Sequence, residues 1–253
     1  MSDTTATNRI VVITGAANGI GRATSLKFAA DKPVLALLDR EQAALEAVAK
    51  ECRALGAKVL PITIDLLDRP AVEAAFKKIR SDLGPVDVLV NNVGQSARER
   101  AVEFHESTPD LWDFLINICL LTTMHCTRQV INDMRDRRQG KIVNISSEAA
   151  LNGGVKSAEY AAAKAGVLGF TRSLAREVGP FNVNVNAVLP AIVATRAYEQ
   201  MLPDIREKAE STIPMKRAAR PEEIADAIYF LASPQSTFVT GHSLAVAGGN
   251  IFN

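Results

Sequence analysis

Little in this 253-residue chain suggests a cross-linked or metal-bound scaffold. Its three cysteines, Cys52, Cys119 and Cys126, are odd in number and lack CxxC spacing, which argues against a disulfide framework and a zinc site. His105, His125 and His242 are scattered and form no HExxH cluster. Packing cysteines and solvated histidines are the ordinary reading of such a pattern. Charge of one sign is also lacking: 29 Lys and Arg against 28 Asp and Glu leave a net +1, no global field for nucleic acid or an anionic membrane. The longest apolar runs, such as "VLALL", are too short to span a bilayer. The polar start "MSDTTATNR" has no basic-then-apolar secretory pattern. These features predict a cytoplasmic protein with neither a membrane nor a nucleic-acid partner. Aromatic residues make up only 5% of the chain.

No Pro/Gly/Ser-rich linker, charge block or low-complexity run divides the sequence. Its length suits one large α/β domain with a buried core. Short β-rich runs alternate with amphipathic stretches. Strands are predicted over residues 9–14, 33–38, 58–64, 86–91, 140–146 and 182–188. Helices are predicted over 19–30 and 41–55, and from Pro70, Pro109, Ser157 and Pro221, with prolines suited to a first helical turn. Near-continuous Val/Ile/Leu strands separated by helices imply a parallel sheet covered on both faces. With right-handed crossovers this is a single-domain Rossmann-type doubly wound parallel β-sheet spanning 1–253. Residues 1–8 are predicted to be a flexible tail.

Between the first strand and the first helix lies "TGAANGIG", with Gly15, Gly19 and Gly21 spaced GxxxGxG, one residue longer than the usual dinucleotide fingerprint. Such a turn lets backbone approach a pyrophosphate and presents a helix N-terminus to its charge. Asn18 and Ile20 belong to the same turn. Asp39 closes the second strand, where a carboxylate can accept hydrogen bonds from an adenosine ribose and repel a 2′-phosphate. NAD is therefore favoured over NADP, although Arg40 is placed to reach a phosphate. Asp39 also stands where it can cap the following helix.

With only three tyrosines in the chain, "SSEAALNGGVKSAEYAAAK" (146–164) stands out: Tyr160 precedes Lys164 by one helical turn with only alanines between. A phenol beside an ammonium is an acid/base device. "TGAANGIG", "NNVG" (91–94), Asn117, Ser147 and Tyr160-x-x-x-Lys164 occur in the order and approximate spacing of the short-chain dehydrogenase/reductase family, which the chain resembles from Ile10 to Gly249.

That resemblance implies an enzyme interconverting a secondary alcohol and a ketone with NAD, through a tetrad of Asn117, Ser147, Tyr160 and Lys164. Tyr160 would take or return the hydroxyl proton, since a neighbouring cation favours phenolate. Ser147 would hydrogen-bond the substrate oxygen; Ser146, by the family's spacing, is not the catalytic serine. Asn117, a polar residue in the apolar run "LWDFLINICLL", would hold a water in the proton relay. The resemblance further assigns Asp65 and Leu66 to the adenine end, Asn92 to the cofactor wall, and Val193 and Thr195 to the carboxamide. Asn91 is expected to link strands. A homotetramer is also implied, with helices near 109–137 and 157–178 in one contact and the C-terminal region in another.

Three positions depart from the family pattern. Val93 stands where alanine is common, Ala191 follows Pro190 where glycine is usual, and Ala247 replaces a frequent aspartate. Substrate choice is expected in residues 95–104, 148–159 and a lid over 191–214 carrying Tyr198, Met201 and Leu202. Glu148 and Asn152 are candidate polar contacts. Arg98, Arg100 and Arg196 are either solvated or face the pocket mouth, where they would suit an anionic substrate such as an acyl-CoA. Cyclic and aryl alcohols stay open. Two alternatives remain: a non-catalytic NAD(H)-binding regulatory protein, and an epimerase or dehydratase on the same fold.

Overall fold

A computed structural model describes residues 9–252, so the predicted tail over 1–8 lies outside the described residues. Seven strands form one parallel sheet: β1 (Ile10–Thr14), β2 (Val34–Asp39), β3 (Lys58–Thr63), β4 (Val88–Asn91), β5 (Gly140–Ile145), β6 (Val183–Pro190) and β7 (Ser243–Val246), in the order β3-β2-β1-β4-β5-β6-β7. The helices are α1 (Gly19–Ala29), α2 (Gln42–Ala54), α3 (Arg69–Asp82), α4 (Pro109–Ile116), α5 (Thr122–Arg137), α6 (Ala149–Asn152), α7 (Ala158–Val178), α8 (Arg196–Glu199), α9 (Pro203–Thr212) and α10 (Pro221–Ala232).

Strand alternation sorts the apolar residues into two cores. Val11 and Ile13 of β1 face a cluster with Phe28, Leu45, Val48 and Ile228 of α1, α2 and α10. Ile10 and Val12 face another with Phe76, Ile79, Val130 and Met134 of α3 and α5. Both faces are covered, as the sequence pattern requires. Pro61, which cannot donate to a ladder, is confined to the edge strand β3.

Strands are added outward in one direction from β1 to β3 and in the other from β4 to β7, so the strand order reverses between β1 and β4, where the carboxyl ends of the parallel strands share one rim. In such sheets the ligand crevice opens there. The glycine turn follows β1, Asp39 ends β2, Asn91 ends β4 and Ser147 follows β5.

Several elements were not predicted, among them the helices α6, α8 and α9, the strand β7 and a π turn. Edge strand β7 is four residues long and mostly half-buried, too weak for a pattern. Between α4 and α5 the helix widens into a π turn, Asn117–Leu121. The continuous helix Pro109–Arg137 is, among the described residues, long and apolar enough in length and composition to cross a membrane, which the short apolar runs did not foretell. Its apolar side chains Leu115, Cys126, Val130 and Met134 are instead buried in core clusters.

Cys52 and Cys126 pack in these cores, and burial raises their thiols to about 11 and about 12. His125 departs from the solvated reading: its ring is partly buried beside Arg69 and Glu73, and desolvation lowers its pKa.

Candidate active site

The glycine turn is shaped by backbone that tolerates no side chain at two points. Gly15 and Gly19 have φ of +65° and +50°. A Cβ on Gly21 would lie 1.9 Å from the Gly15 carbonyl oxygen, so α1 begins against the turn itself. Asn18 caps α1 by position but makes no side-chain capping bond, and no acid lies in the first turn. The first N–H groups of α1 thus keep their positive end uncompensated.

Asp39 is held from two sides: Oδ2 accepts the Ala17 N–H at 2.9 Å and Oδ1 the Glu41 N–H at 3.0 Å. The N-cap position of α2 is Glu41, so Asp39 braces the turn rather than capping the helix directly. Arg40 is exposed. Asn92 closes the other wall, donating from Nδ2 to the carbonyls of Thr14 at 3.0 Å and Gly15 at 3.1 Å. Asp65 Oδ1 accepts the Leu67 N–H, and Leu66 is buried in the second core. Ile20 packs on the first core.

Asn91 does link strands. Its Nδ2 donates to Asn144 Oδ1 at 2.9 Å and Thr127 Oγ1 at 3.0 Å, and Asn144 passes the chain on to Thr171. This buried string ties β4 and β5 to α5 and α7. Its other members went unnoticed in the sequence because Asn and Thr spread over 45 positions carry no periodic signal.

At the chemical end, Tyr160 and Lys164 share one face of α7, with Nζ 5.9 Å from the phenol ring centre. Lys164 is buried at 3% exposure and donates to the Ile145 carbonyl at 2.7 Å. The two neighbouring serines separate cleanly. Ser146 is buried and donates to the Lys164 carbonyl at 2.8 Å. Ser147 is half-buried, and its Oγ accepts the Ala149 N–H at 3.2 Å. Asn117 opens the π turn and donates from Nδ2 to the Asp113 carbonyl at 2.6 Å. The Tyr160 ring packs on Ala97, Leu111 and Leu115 with Trp112 and Phe114.

The segment after β6 folds over the glycine turn. Val193 bridges to Ala219, and Thr195 donates its N–H to the Val193 carbonyl. A Cβ on Gly19 would lie 2.9 Å from Thr195 Cγ2. Arg196 turns toward the nucleotide end, pairing with Glu41 at 3.3 Å, where Asn18 also donates at 3.2 Å. Arg98 reaches the Met201 sulfur, and Arg100 lies 5.8 Å from the Phe114 ring centre. Helix α9 buries no residue: Leu202 and Ile205 stand exposed, and Tyr198 donates to Glu210 across the segment. Glu148 accepts from Asn250 Nδ2 at 2.7 Å, and burial raises its carboxyl despite that bond. Asn152 is exposed.

Residues 15–250 match the family model described as enoyl-(acyl carrier protein) reductase. The 3-oxoacyl-[acyl-carrier-protein] reductase FabG of Thermotoga maritima is 38% identical over 241 residues, covering 95% of this chain and 97% of that protein. The acetoacetyl-CoA reductase of Cupriavidus necator is 38% identical over 244 residues, covering 96% and 98%. A crystal structure of a 3-oxoacyl-[acyl-carrier protein] reductase with bound NAD from Brucella melitensis superposes with a TM-score of 0.89 at 34% identity, covering 96% of this chain and 92% of that one. The chain belongs to the short-chain dehydrogenase/reductase family. It is an oxidoreductase of hydroxyl and keto groups that uses a nicotinamide cofactor.

Proposed function

We propose that this enzyme interconverts a 3-hydroxyacyl and a 3-oxoacyl thioester with NAD, using Tyr160 as general acid/base. The Tyr160–Lys164 pair on one face of α7, beside Ser147 at the end of β5, carries the reading. Thioester chemistry is drawn from relatives, whose printed names specify 3-oxoacyl carrier-protein and acetoacetyl-CoA reduction.

The turn fits a dinucleotide, because the space a Cβ on Gly21 would fill is occupied by backbone and the α1 N-terminus is left uncompensated. Gly15, Asn18, Gly19 and Ile20 would face the pyrophosphate; Asp39 the adenosine ribose; Asp65 and Leu66 the adenine side; Val193 and Thr195 the carboxamide, with Asn92 in the cofactor wall. Bound there, the nicotinamide supplies the hydride acceptor or donor. Asp39 favours NAD, and Glu41 adds a second carboxylate beside it. Arg40 is the cation nearest to opposing that preference, and Arg196 is already paired.

Lys164 holds positive charge beside the phenol while anchored on Ile145. Beside it Tyr160 removes the alcohol proton in one direction and returns it in the other. Ser147, whose oxygen already accepts a backbone N–H, keeps its own proton for the substrate oxygen. Asn117 acts at the widened turn, since single π turns inside α-helices are frequent at functional sites.

Residues 1–253 act as one unit, with 191–214 as the substrate-side lid. A cytoplasmic homotetramer is included in the proposal: Leu121, Met124, Ile131, Phe170 and Leu174 line an open groove between α5 and α7 that suits a second copy. Light scattering tests that part.

The function is tested by following NADH absorbance with 3-hydroxybutyryl-CoA and acetoacetyl-CoA, alongside cyclic and aryl alcohols. Turnover lost in Tyr160→Phe supports the reading. Turnover that survives removes Tyr160 from its role. Binding of NADH without turnover of any substrate favours the regulatory alternative, and turnover with unreduced cofactor favours epimerisation or dehydration.

A further inference from the structure

The residue before Tyr160 is a buried carboxylate that the chemistry above leaves unused. Glu159 is 8% exposed, at the second position of α7. No cation lies within ion-pair distance of it among the described residues. A buried polar side chain needs a hydrogen-bond partner, and the one this carboxyl finds is a hydroxyl. That hydroxyl belongs to Ser107, which donates to Glu159 Oε1. Ser107 in turn accepts the indole N–H of Trp112 at 2.8 Å. One side chain thus couples three elements: the end of the 95–107 loop, α4 and the helix that carries Tyr160.

Beyond Trp112 the coupling continues through rings. Phe104, 59% exposed, stacks on the indole with centroids 5.4 Å apart and planes 11° apart. The indole, Phe114 and the Tyr160 ring pack on one small cluster, Ala97, Leu111 and Leu115. Successive helical residues point about 100° apart, so Glu159 meets Ser107, just ahead of α4, while the Tyr160 ring packs on Leu111 and Leu115 of α4 itself.

We propose that Glu159 is a positioning residue: through Ser107 and Trp112 it docks the 95–107 loop against α7, setting the substrate-side wall in register with the Tyr160 phenol. This rests on the acid/base reading of Tyr160. Glu159 does not touch the reacting atoms. Its removal loosens the wall that receives substrate while the proton-transfer group keeps its lysine and its helix.

Trp112 is the chain's single tryptophan, so its emission reports this contact directly in the substrate-free protein. The test compares Glu159→Ala, Glu159→Gln, Ser107→Ala and the Glu159→Ala/Ser107→Ala pair. Readouts are tryptophan emission, melting temperature and steady-state kinetics on acetoacetyl-CoA across pH. The expected result is a red-shifted emission in both alanine variants, with KM raised by about tenfold, the fold-change of one buried hydrogen bond. In the same variants kcat stays within about twofold and its pH profile is unmoved. The double variant is no worse than either single, because both break one tie. Glu159→Gln keeps an acceptor for Ser107 and stays near wild type. Unchanged emission in Ser107→Ala would overturn the proposal, as would a lowered kcat with a displaced pH profile and unmoved KM, which would make Glu159 an electrostatic partner of Tyr160. Should Glu159→Ala fail to fold, Ser107→Ala decides alone. Should Tyr160→Phe retain turnover, the acid/base reading fails separately, since the emission arm requires no chemistry.

Discussion

A Cβ built on Gly94 would lie 2.8 Å from Lys164 Nζ and 3.4 Å from Cys119 Sγ. The loop after β4 thus leaves room for the lysine ammonium to reach the Ile145 carbonyl. Gly94→Ala is expected to displace Nζ rather than unfold the protein, since the crowded atom is the end of a flexible side chain. Overpacking of this kind costs about 1–3 kcal/mol. Melting temperature should fall by a few degrees while kcat falls about tenfold or more. A variant with wild-type kcat would show that the position of the lysine is not critical.

The paired serines give a sharper separation. Ser146 donates to the Lys164 carbonyl inside the core, whereas Ser147 holds its hydroxyl at the edge of the cleft. Ser146→Ala should cost about 0.5–1.5 kcal/mol of stability, the net worth of one buried hydrogen bond. Ser147→Ala should leave melting within about a degree and lower kcat about 10²–10³-fold, the usual loss of one oxyanion donor. Thermal melts and steady-state kinetics on the two variants decide it. Reversed phenotypes would exchange the two assignments.

Much of this site was legible because its groups are tied to short motifs at strand ends. Gly15 and Gly19 need positive φ, Asp39 ends an apolar run, and Tyr160 and Lys164 are one turn apart on any helix. What escaped depends on contacts between distant segments. The Asn91–Asn144–Thr171 string, the Glu159–Ser107–Trp112 tie and the room at Gly94 join residues far apart in sequence. Arg196 illustrates the limit. Its position in the lid left both a solvated and a pocket-facing reading, and only the fold brings it to Glu41, 155 residues away. The π turn at Asn117 was equally hidden, since one extra residue per turn leaves the apolar pattern almost unchanged.

The base of the lid is pinned by Glu223, which receives both Arg217 nitrogens at 2.7 Å and the Arg220 N–H at 2.7 Å. The Arg217 hydrogen bonds, then that backbone bond, lower its carboxyl to about 2. An unfolded Glu titrates near about 4.3. The contribution is therefore complete above about pH 4.3 and is lost as pH falls through about 2. Both side chains are partly exposed, so salt screens the pair and its worth is small. Glu223→Gln should lower the melting temperature modestly at pH 7, by an amount that shrinks toward pH 2 and in high salt. A deficit independent of pH would assign the loss to packing.

Three charged side chains, Asp39, Glu41 and Arg196, gather beside the glycine turn. Asp39 is fixed by two backbone N–H groups, so its charge cannot swing away from an approaching 2′-phosphate. Glu41 stands two residues on and holds Arg196, the cation that would otherwise offset that charge. Wild-type protein is thus expected to bind NADH more tightly than NADPH by about tenfold or more, roughly one like-charge contact of about 1.4 kcal/mol near the surface. Glu41→Gln removes one carboxylate and releases the Arg196 guanidinium, a bidentate phosphate partner. It should strengthen NADPH binding about three- to tenfold and leave NADH binding within about twofold. Arg196→Ala in the same background should reverse the gain, because the released cation is what produces it. Fluorescence titration of the two reduced cofactors measures all of these. Tighter NADPH binding by the wild-type protein would mean that Arg40 or Arg196 already faces the phosphate, and that the carboxylates do not set the preference.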